Sequence, residues 1–328
     1  MVDKSALGAV GAPFELDVER GKIFELSRAI HALPPDADDP LITLGEALAL
    51  SDHPGLDALA QQLSISAHPP ARALGTSYLS ARGKLAFDGV YAALTAAAPL
   101  VMRAGIWAAD RLPAAQRALF SRLLRERCES PLPGVAWSAA RVLTLWGDRE
   151  LGVQALDGPL GARLGPRAAE LFVLTAAPAD WPQMEALLDQ QRCTRALLSA
   201  VARFGSPAAA PWLITRLDDH ALADAAARAL LLLFGPLVAP AAAHEAPAWQ
   251  KALAARALDP KIRFRHGRPW CPALVADECR SGELSRLDLG LRIDELRARC
   301  RAPDPVDLAA WAAEASARLT DFLGKLPR

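Results

Sequence analysis

Apolar residues recur at three- and four-residue spacing through most of this chain, a pattern typical of amphipathic helices. Long alanine-rich stretches of this kind end about every 30 residues, at Gly83, Pro113, Gly147, Ala177, Gly205 and Gly235. Shorter amphipathic stretches lie between them and begin near residues that favour helix N-termini: Asp88, Pro113, Asp180 and Pro207. Each repeating unit is therefore predicted to be a pair of helices.

The regular spacing of the helix pairs also predicts the architecture. A pair of about 30 residues cannot bury its apolar face alone, so successive pairs must stack to form a core. We therefore expect an all-α fold, an α-solenoid of about six helical hairpins over residues 41–236. A short N-terminal arm or cap is expected at 1–40 and a C-terminal helical module at 237–328. The low aromatic content of 6% agrees with helices rather than sheets.

One segment of the array resembles a known repeat. Leu213–Asp219, followed by Ala225–Leu230 and Gly235, resembles a HEAT repeat, in which an Asp-containing turn joins two helices. Two other segments repeat parts of this pattern: Trp137–Asp148 and Arg195–Gly205. The resemblance extends over about residues 66 to 236. It implies a HEAT-like solenoid that binds a partner on an extended face.

A second resemblance follows the array. His266–Trp270, then Leu274, Gly282, Arg286 and Leu291–Arg297, is similar to the C-terminal module of an uncharacterised proteobacterial family of HEAT-like proteins. Genes of that family often neighbour type VI secretion spike genes. The resemblance implies an adaptor, chaperone or immunity-like accessory role in the cytoplasm. Its partner would be a secreted effector, a toxin or a spike component, and no catalytic residue is carried over.

The N-terminal segment has a resemblance of its own. Residues 13–30 are similar to the opening strand and helix of MaoC-like hot-dog dehydratases. After Pro40 the chain turns into helical pattern, and no Asp and His match the hydratase spacing of that family. We therefore interpret residues 1–40 as a cap or arm without acyl-thioester chemistry.

Charge narrows the possible partners. The 37 Lys and Arg residues balance 37 Asp and Glu residues, which disfavours nucleic acid as the ligand. The most concentrated basic aromatic cluster contains Arg263, Arg265, Arg268 and Trp270. Guanidinium groups there could bind an acidic protein surface or phosphate. The alternative is a solvated loop that pairs with nearby carboxylates.

Two other sets of residues are candidate contacts for a partner. Trp311 lies on a predicted final amphipathic helix, which either seals the stack or docks a partner helix. The alanine-rich helices each carry an arginine that could face the partner: Arg72, Arg103, Arg141, Arg167, Arg195 and Arg228. Equally, such arginines could tie adjacent repeats together.

The sequence contains none of three common catalytic motifs. It has no P-loop, no His-Glu-x-x-His pair and no Gly-x-Ser-x-Gly elbow, and the spacing of Cys271 and Cys279 does not suit zinc. We expect no metal and no cofactor. The apolar stretch Ala229–Ala243 is too short to cross a bilayer, and the five scattered cysteines suit a reducing cytoplasm.

The resulting functional prediction is a non-catalytic protein–protein interaction scaffold rather than an enzyme. The alternative is a helical-repeat DNA-binding enzyme of the DNA glycosylase type. Such an enzyme requires a basic channel that binds the DNA phosphates, and the balanced charge of this chain disfavours one.

Overall fold

The protein is mostly α-helical, as the sequence predicts. The computed structural model describes residues 22–33, 40–49, 54–156, 158–190, 193–281, 284, 286–300 and 320–325. Helix accounts for 73% and strand for 2% of the described residues. The chain divides into two compact units, Met1–Ala108 and Ala109–Arg328. The boundaries predicted near residues 40 and 236 stay predictions.

The first unit is built around one central helix. Its helices are α1 (Lys22–His31), α2 (Pro40–Leu48), α3 (Pro54–Ser64), α4 (Pro69–Ala81), α5 (Phe87–Leu94) and α6 (Pro99–Asp110), the last of which runs on into the second unit. Helix α4 contacts α1, α2, α3 and α5. At Gly75 a Cβ atom would lie 2.5 Å from the backbone nitrogen of Ser64, so glycine is what allows α3 and α4 to pack this closely.

The second unit continues the succession of helices. They are α7 (Ala114–Cys128), α8 (Pro133–Leu145), α9 (Arg149–Gln154), α10 (Gly158–Leu164), α11 (Ala168–Thr175), α12 (Trp181–Gln190), α13 (Arg195–Phe204), α14 (Ala210–Ile214), α15 (Ala223–Phe234), α16 (Ala246–Ala254), α17 (Pro272–Arg280) and α18 (Arg286–Cys300). Short 3-10 turns precede α11, α12, α14 and α16.

Four of these helices lie side by side in chain order. Helix α8 contacts α11, α11 contacts α13, and α13 contacts α15. Their apolar faces are buried, and the rings of Phe172 and Phe204 stack with centroids 5.7 Å apart. Gly147, Gly205 and Gly235 follow α8, α13 and α15 with positive φ angles of 104°, 85° and 71°, which confirms the helix ends predicted there.

A small β-hairpin caps two of these helices. Strands β1 (Phe264–Arg265) and β2 (Arg268–Pro269) pair antiparallel, and the turn residues His266 and Gly267 both have positive φ, as a type I′ turn requires. From the sequence, a solvated loop or edge was the alternative to a contact surface here. The hairpin forms because its backbone N–H groups find acceptors at the ends of α13 and α15.

The acceptors are backbone carbonyls that the helices leave free. Phe264 N donates to Gly205 O at 2.8 Å, and His266 N donates to Leu232 O at 2.7 Å. These bonds satisfy carbonyls at helix C-termini and fix the hairpin on them.

Helices α17 and α18 follow the hairpin and pack against each other. Val275 and Leu296 share a small core with Phe322 and Leu323 from the helical residues 320–324. Helix α18 also contacts α8 and α11. The predicted final helix from residue 303 and its Trp311 lie outside the described residues, apart from 320–325.

Within the described ranges, no helix combines the length and the apolar character that crossing a membrane demands.

Candidate functional site

Buried ion pairs attach α18 to the rest of the second unit. Arg297 donates to both oxygens of Asp110, at 2.8 and 2.9 Å, and Arg141 Nε donates to Asp294 Oδ2 at 2.7 Å. Both are fork-like pairs, the geometry in which a guanidinium binds a carboxylate best. They place the acidic and basic side chains of α18 against the helix row rather than in solvent.

Two glutamates hold a denser set of charges between the hairpin, α17 and α18. Arg265 Nε donates to Glu278 Oε1 at 2.6 Å and Arg265 Nη2 to Glu295 Oε2 at 3.3 Å. Arg292 Nε donates to Glu278 Oε2 at 2.6 Å. Glu295 also accepts from Arg299 and from the indole N–H of Trp270. Each carboxylate thus has several charged or polar donors.

We call this set of side chains the buried ionic cluster: Arg203, Arg263, Arg265, Arg292, Arg299, Glu278 and Glu295. Among the described residues it contains five guanidinium groups and two carboxylates. Two further carboxylates interact with it electrostatically, Glu170 with Arg203 and Asp180 with Arg263. Arg263 and Arg299 are further anchored by backbone carbonyls, at Phe204 O and Val173 O respectively. The cluster carries an excess of positive charge.

The excess of positive charge shifts the pKa values of the two glutamates. Burial opposes ionisation of Glu295, but the charges of Arg265, Arg299 and Arg292 outweigh it and lower the pKa of Glu295 to about 2. The pKa of Glu278 also falls to about 2, since bonds from His266 and Arg265 outweigh its burial. Burial lowers the pKa of Arg203 to about 10, which still leaves the guanidinium charged at neutral pH.

A cavity of about 480 Å³ opens beside the cluster, between α8, α11, α13 and α18. Its apolar wall is formed by Trp137, Leu171, Leu174, Ala196 and Leu291. Its polar wall is formed by Arg141, Arg167, Arg195, Arg203, Ser199, Glu170, Asp288 and Asp294. We call this space the arginine cavity.

Arg203 and Trp137, on the walls of the arginine cavity, each have a buried donor atom without an acceptor among the described residues. Arg203 is 2% exposed, and the atom concerned is its Nε. The indole N–H of Trp137 is likewise buried without an acceptor among the described residues, while the guanidinium of Arg167 lies 3.9 Å from the Trp137 ring centroid. Buried donors of this kind are rare in folded proteins, and a ligand is one explanation for them.

The arginine cavity brings together three of the six arginines predicted to face a partner. Arg141 comes from α8, Arg167 from the turn before α11, and Arg195 from the first turn of α13. Arg141 pairs with Asp294, and Arg195 reaches Ala221 O at 3.4 Å.

The other three predicted arginines lie elsewhere. Arg72 donates to Ala92 O at 3.0 Å within the first unit, and Arg103 is half-buried on α6. Arg228 is exposed on α15.

Of the predicted C-terminal contacts, Arg265 is buried, and Arg263 and Trp270 are half-buried. Arg265 is fully buried in its ion pairs, which is the pairing with carboxylates that the sequence left as an alternative. Arg263 stacks 4.6 Å from the Phe204 ring centroid, and Trp270 donates to Glu295. Arg268 is exposed, and Trp311 lies outside the described residues.

Sequence analysis did not single out Arg203, Asp294 or Glu295. A signal for Arg203 exists, because it stands between the apolar residues Ala202 and Phe204 at the end of a helix whose other face is buried. The charges of α18 gave no such signal, since alternating acidic and basic residues are typical of a solvated helix.

A second, more open cavity of about 730 Å³ adjoins α7, α9 and α10. Arg125 and Asp148 form an ion pair of 2.7 Å at its edge, and Asp148 also caps α9. Burial raises the pKa of the neighbouring Cys128 thiol to about 12, so this thiol is no nucleophile at neutral pH.

Comparisons with known proteins give no match: no protein-family model fits the sequence, and no curated protein and no solved structure is significantly similar to it.

Proposed function

We propose that this protein is a non-catalytic, HEAT-like scaffold that binds another protein, and that the arginine cavity is its binding site in the second unit. The observation that carries the proposal is the convergence of Arg141 from α8, Arg167 from the turn before α11, and Arg195 from α13 on one cavity. In stacked helical hairpins, equivalent positions line up on one face, and such faces bind partners.

The HEAT-like interpretation has further support in the backbone. The helix row α8, α11, α13 and α15 follows chain order, and glycines with positive φ (Gly147, Gly205 and Gly235) follow three of its four members. A solenoid of helical hairpins is the simplest arrangement with both properties.

The residue types in the arginine cavity suit protein recognition. Tryptophan and arginine are the side chains that most often dominate the affinity of protein interfaces. Trp137 with Arg167 stacked on it supplies both at the rim, next to apolar side chains of α11 and α18. A partner side chain could bury apolar surface there and pair with a guanidinium.

The biological setting of this proposal rests on the resemblance of His266–Arg297 to the type VI-associated family. On that basis the protein is an adaptor, chaperone or immunity-like accessory in the cytoplasm, and its partner is a secreted effector, a toxin or a spike component.

A charge-reversal pull-down tests the proposal. The full-length protein and the double variant Arg167→Glu/Arg195→Glu are used to purify partners from a native lysate. Arg122→Glu is the matched control, because the Arg122 side chain is 92% exposed and lies away from the arginine cavity. We expect one protein in near-stoichiometric yield with wild type and control, and at least about tenfold less with the double variant.

Circular dichroism of all three proteins checks that they fold alike. A partner recovered equally by the double variant would contradict the assignment of the arginine cavity, and the absence of any stoichiometric partner would contradict the scaffold.

A further inference from the structure

The walls of the arginine cavity specify the chemistry of what enters it. The Nε of the buried Arg203 and the indole N–H of Trp137 are both buried without an acceptor in the described part of the chain. A buried donor without an acceptor is costly, and an acceptor atom in the cavity removes that cost. Both groups therefore call for a ligand that accepts hydrogen bonds.

The excess of arginine charges around Arg203 favours an anion as this acceptor. The two buried glutamates of the ionic cluster already accept from Arg265, Arg292 and Arg299. Asp294 is occupied by Arg141. Glu295 and Glu170 act on Arg203 only through their charge, and an incoming anion could accept a hydrogen bond from its Nε.

The balance of lining charges limits the anion to a single charge. Four arginines and three carboxylates line the cavity. A monoanion offsets this excess of one positive charge. A dianionic phosphate would bring a second negative charge, which Glu170 and Asp288 would repel. A carboxylate also matches the planar donor fork of arginine.

The apolar wall specifies the rest of the ligand. Leu171, Leu174 and Leu291 face the same space as Arg203, and a volume of about 480 Å³ is within the range of sites for small molecules or single side chains. We infer that the arginine cavity binds a carboxylate carried on an apolar body, with the carboxylate on Arg203 and Trp137 and the apolar body against these leucines.

Two sources present this chemistry, and the inference rests on the proposed function only for the first. The carboxylate could be the C-terminus or an acidic side chain of the protein partner. It could equally be a free organic acid that fills the cavity.

The test measures binding of defined probes to the full-length protein by isothermal titration calorimetry. The free acid is 4-phenylbutyrate, with 4-phenylbutanamide as its neutral counterpart. The peptide is N-acetyl-Ala-Leu-Phe with a free C-terminal carboxylate, with the C-terminal amide as its counterpart. We expect at least one carboxylate probe to bind about tenfold or more tightly than its amide.

Variants assign that binding to Arg203. Arg203→Met should weaken the carboxylate probe about ten- to a hundredfold, and Arg203→Lys, which keeps the charge but loses the donor fork, should fall in between. Arg228→Met is the matched control and should bind as wild type does, since Arg228 is exposed on α15 away from the cavity.

The inference is overturned if neither carboxylate probe binds, if acid and amide bind equally, or if Arg203→Met leaves binding unchanged. Preference for the peptide carboxylate supports a protein C-terminus as the source, and preference for 4-phenylbutyrate supports a free acid. Arg203-dependent carboxylate binding without a partner in the pull-down would uphold this site while refuting the scaffold. Recovery of a partner in the pull-down without Arg203-dependent carboxylate binding would refute this site alone.

Discussion

Arg297 and Asp110 stand 187 positions apart in the sequence, yet they form a doubly hydrogen-bonded ion pair in which both side chains are almost fully buried. Asp110 also accepts from the indole N–H of Trp146 at 3.2 Å. This pair fixes α18 in the second unit, and the position of α18 in turn defines one wall of the arginine cavity.

Breaking this pair should strongly destabilise the second unit. Arg297→Ala leaves the Asp110 carboxylate buried without its cation, which typically costs about 3 to 5 kcal/mol. Urea denaturation followed by circular dichroism measures the change in the free energy of unfolding. Arg280→Ala is the control, because Arg280 is half-exposed and, among the described residues, pairs with Asp277 three residues away, so its loss should cost less than about 1 kcal/mol. Equal effects of the two substitutions would refute the structural role of Arg297.

The buried glutamates should make the protein sensitive to acid. The pKa of Glu295 in the folded state is about 2, below its ordinary value of 4.5, so the folded state binds fewer protons than the unfolded state between these values. Its contribution to stability is therefore complete above about pH 4.5 and is lost as the pH falls towards 2. For Glu295 alone the loss is roughly 3 kcal/mol.

Urea denaturation at a series of pH values measures this dependence. The free energy of unfolding should be nearly flat from pH 7 to about 5 and decline steeply below it. Glu295→Gln should flatten the decline, while Glu126→Gln, at an exposed site on α7, should not. A stability that is the same at pH 3 as at pH 7 would be inconsistent with the buried ionic cluster.

Two arginines of the buried ionic cluster should respond in opposite ways to removal of their charge. Arg265→Met deprives Glu278 and Glu295 of a partner and should cost about 3 to 5 kcal/mol. Arg203→Met removes a buried charge whose Nε has no acceptor among the described residues, so the ligand-free protein should keep its stability or gain up to about 2 kcal/mol. Thermal unfolding of both variants in the same buffer decides this, and a large loss in Arg203→Met would show that Arg203 is a structural residue.

The hairpin turn should not tolerate a side chain at its glycine. Gly267 has a φ of 73°, and a Cβ atom there would lie 2.4 Å from Phe234 O. Gly267→Ala should therefore cost more than about 1 to 2 kcal/mol, the sum of backbone strain and displacement of the hairpin from α15. Gly158→Ala measures the cost of backbone strain alone. Gly158 has a similar φ of 68°, and no atom of the described residues lies within 4 Å of the added carbon. Chemical denaturation should rank Gly267→Ala as clearly the more harmful substitution.

Much of the helical organisation could be predicted from neighbours along the chain. Apolar spacing reports which face of a helix is buried, and Gly83, Gly147, Gly205 and Gly235 mark helix ends because only glycine adopts positive φ without strain. Pro113 directly precedes α7, and Asp180 directly precedes α12, as predicted for helix starts. These properties involve a few adjacent residues, and so they are legible in the sequence.

The candidate site was only partly predictable. Arg141, Arg167 and Arg195 are predicted as contacts because each alanine-rich run carries an arginine near its start or middle, and the structure brings them to one cavity. Arg203 was missed, since whether a charged side chain is paired depends on what packs against it. For the basic aromatic segment the sequence left open a contact surface or pairing with nearby carboxylates, and in the structure Arg265 is buried and pairs with Glu278 and Glu295.

Local sequence therefore determined that this chain forms successive helices, where several of them end, and which arginines recur among them. Only the tertiary structure decided which charges are buried, because the partners of Arg297 and Arg141 lie 187 and 153 residues away. Burial removes water from a charged group, so a buried charge is favourable only when a partner of opposite sign lies against it. That requirement is met by the packing of α18 on the helix row, which the order of residues within α18 does not reveal.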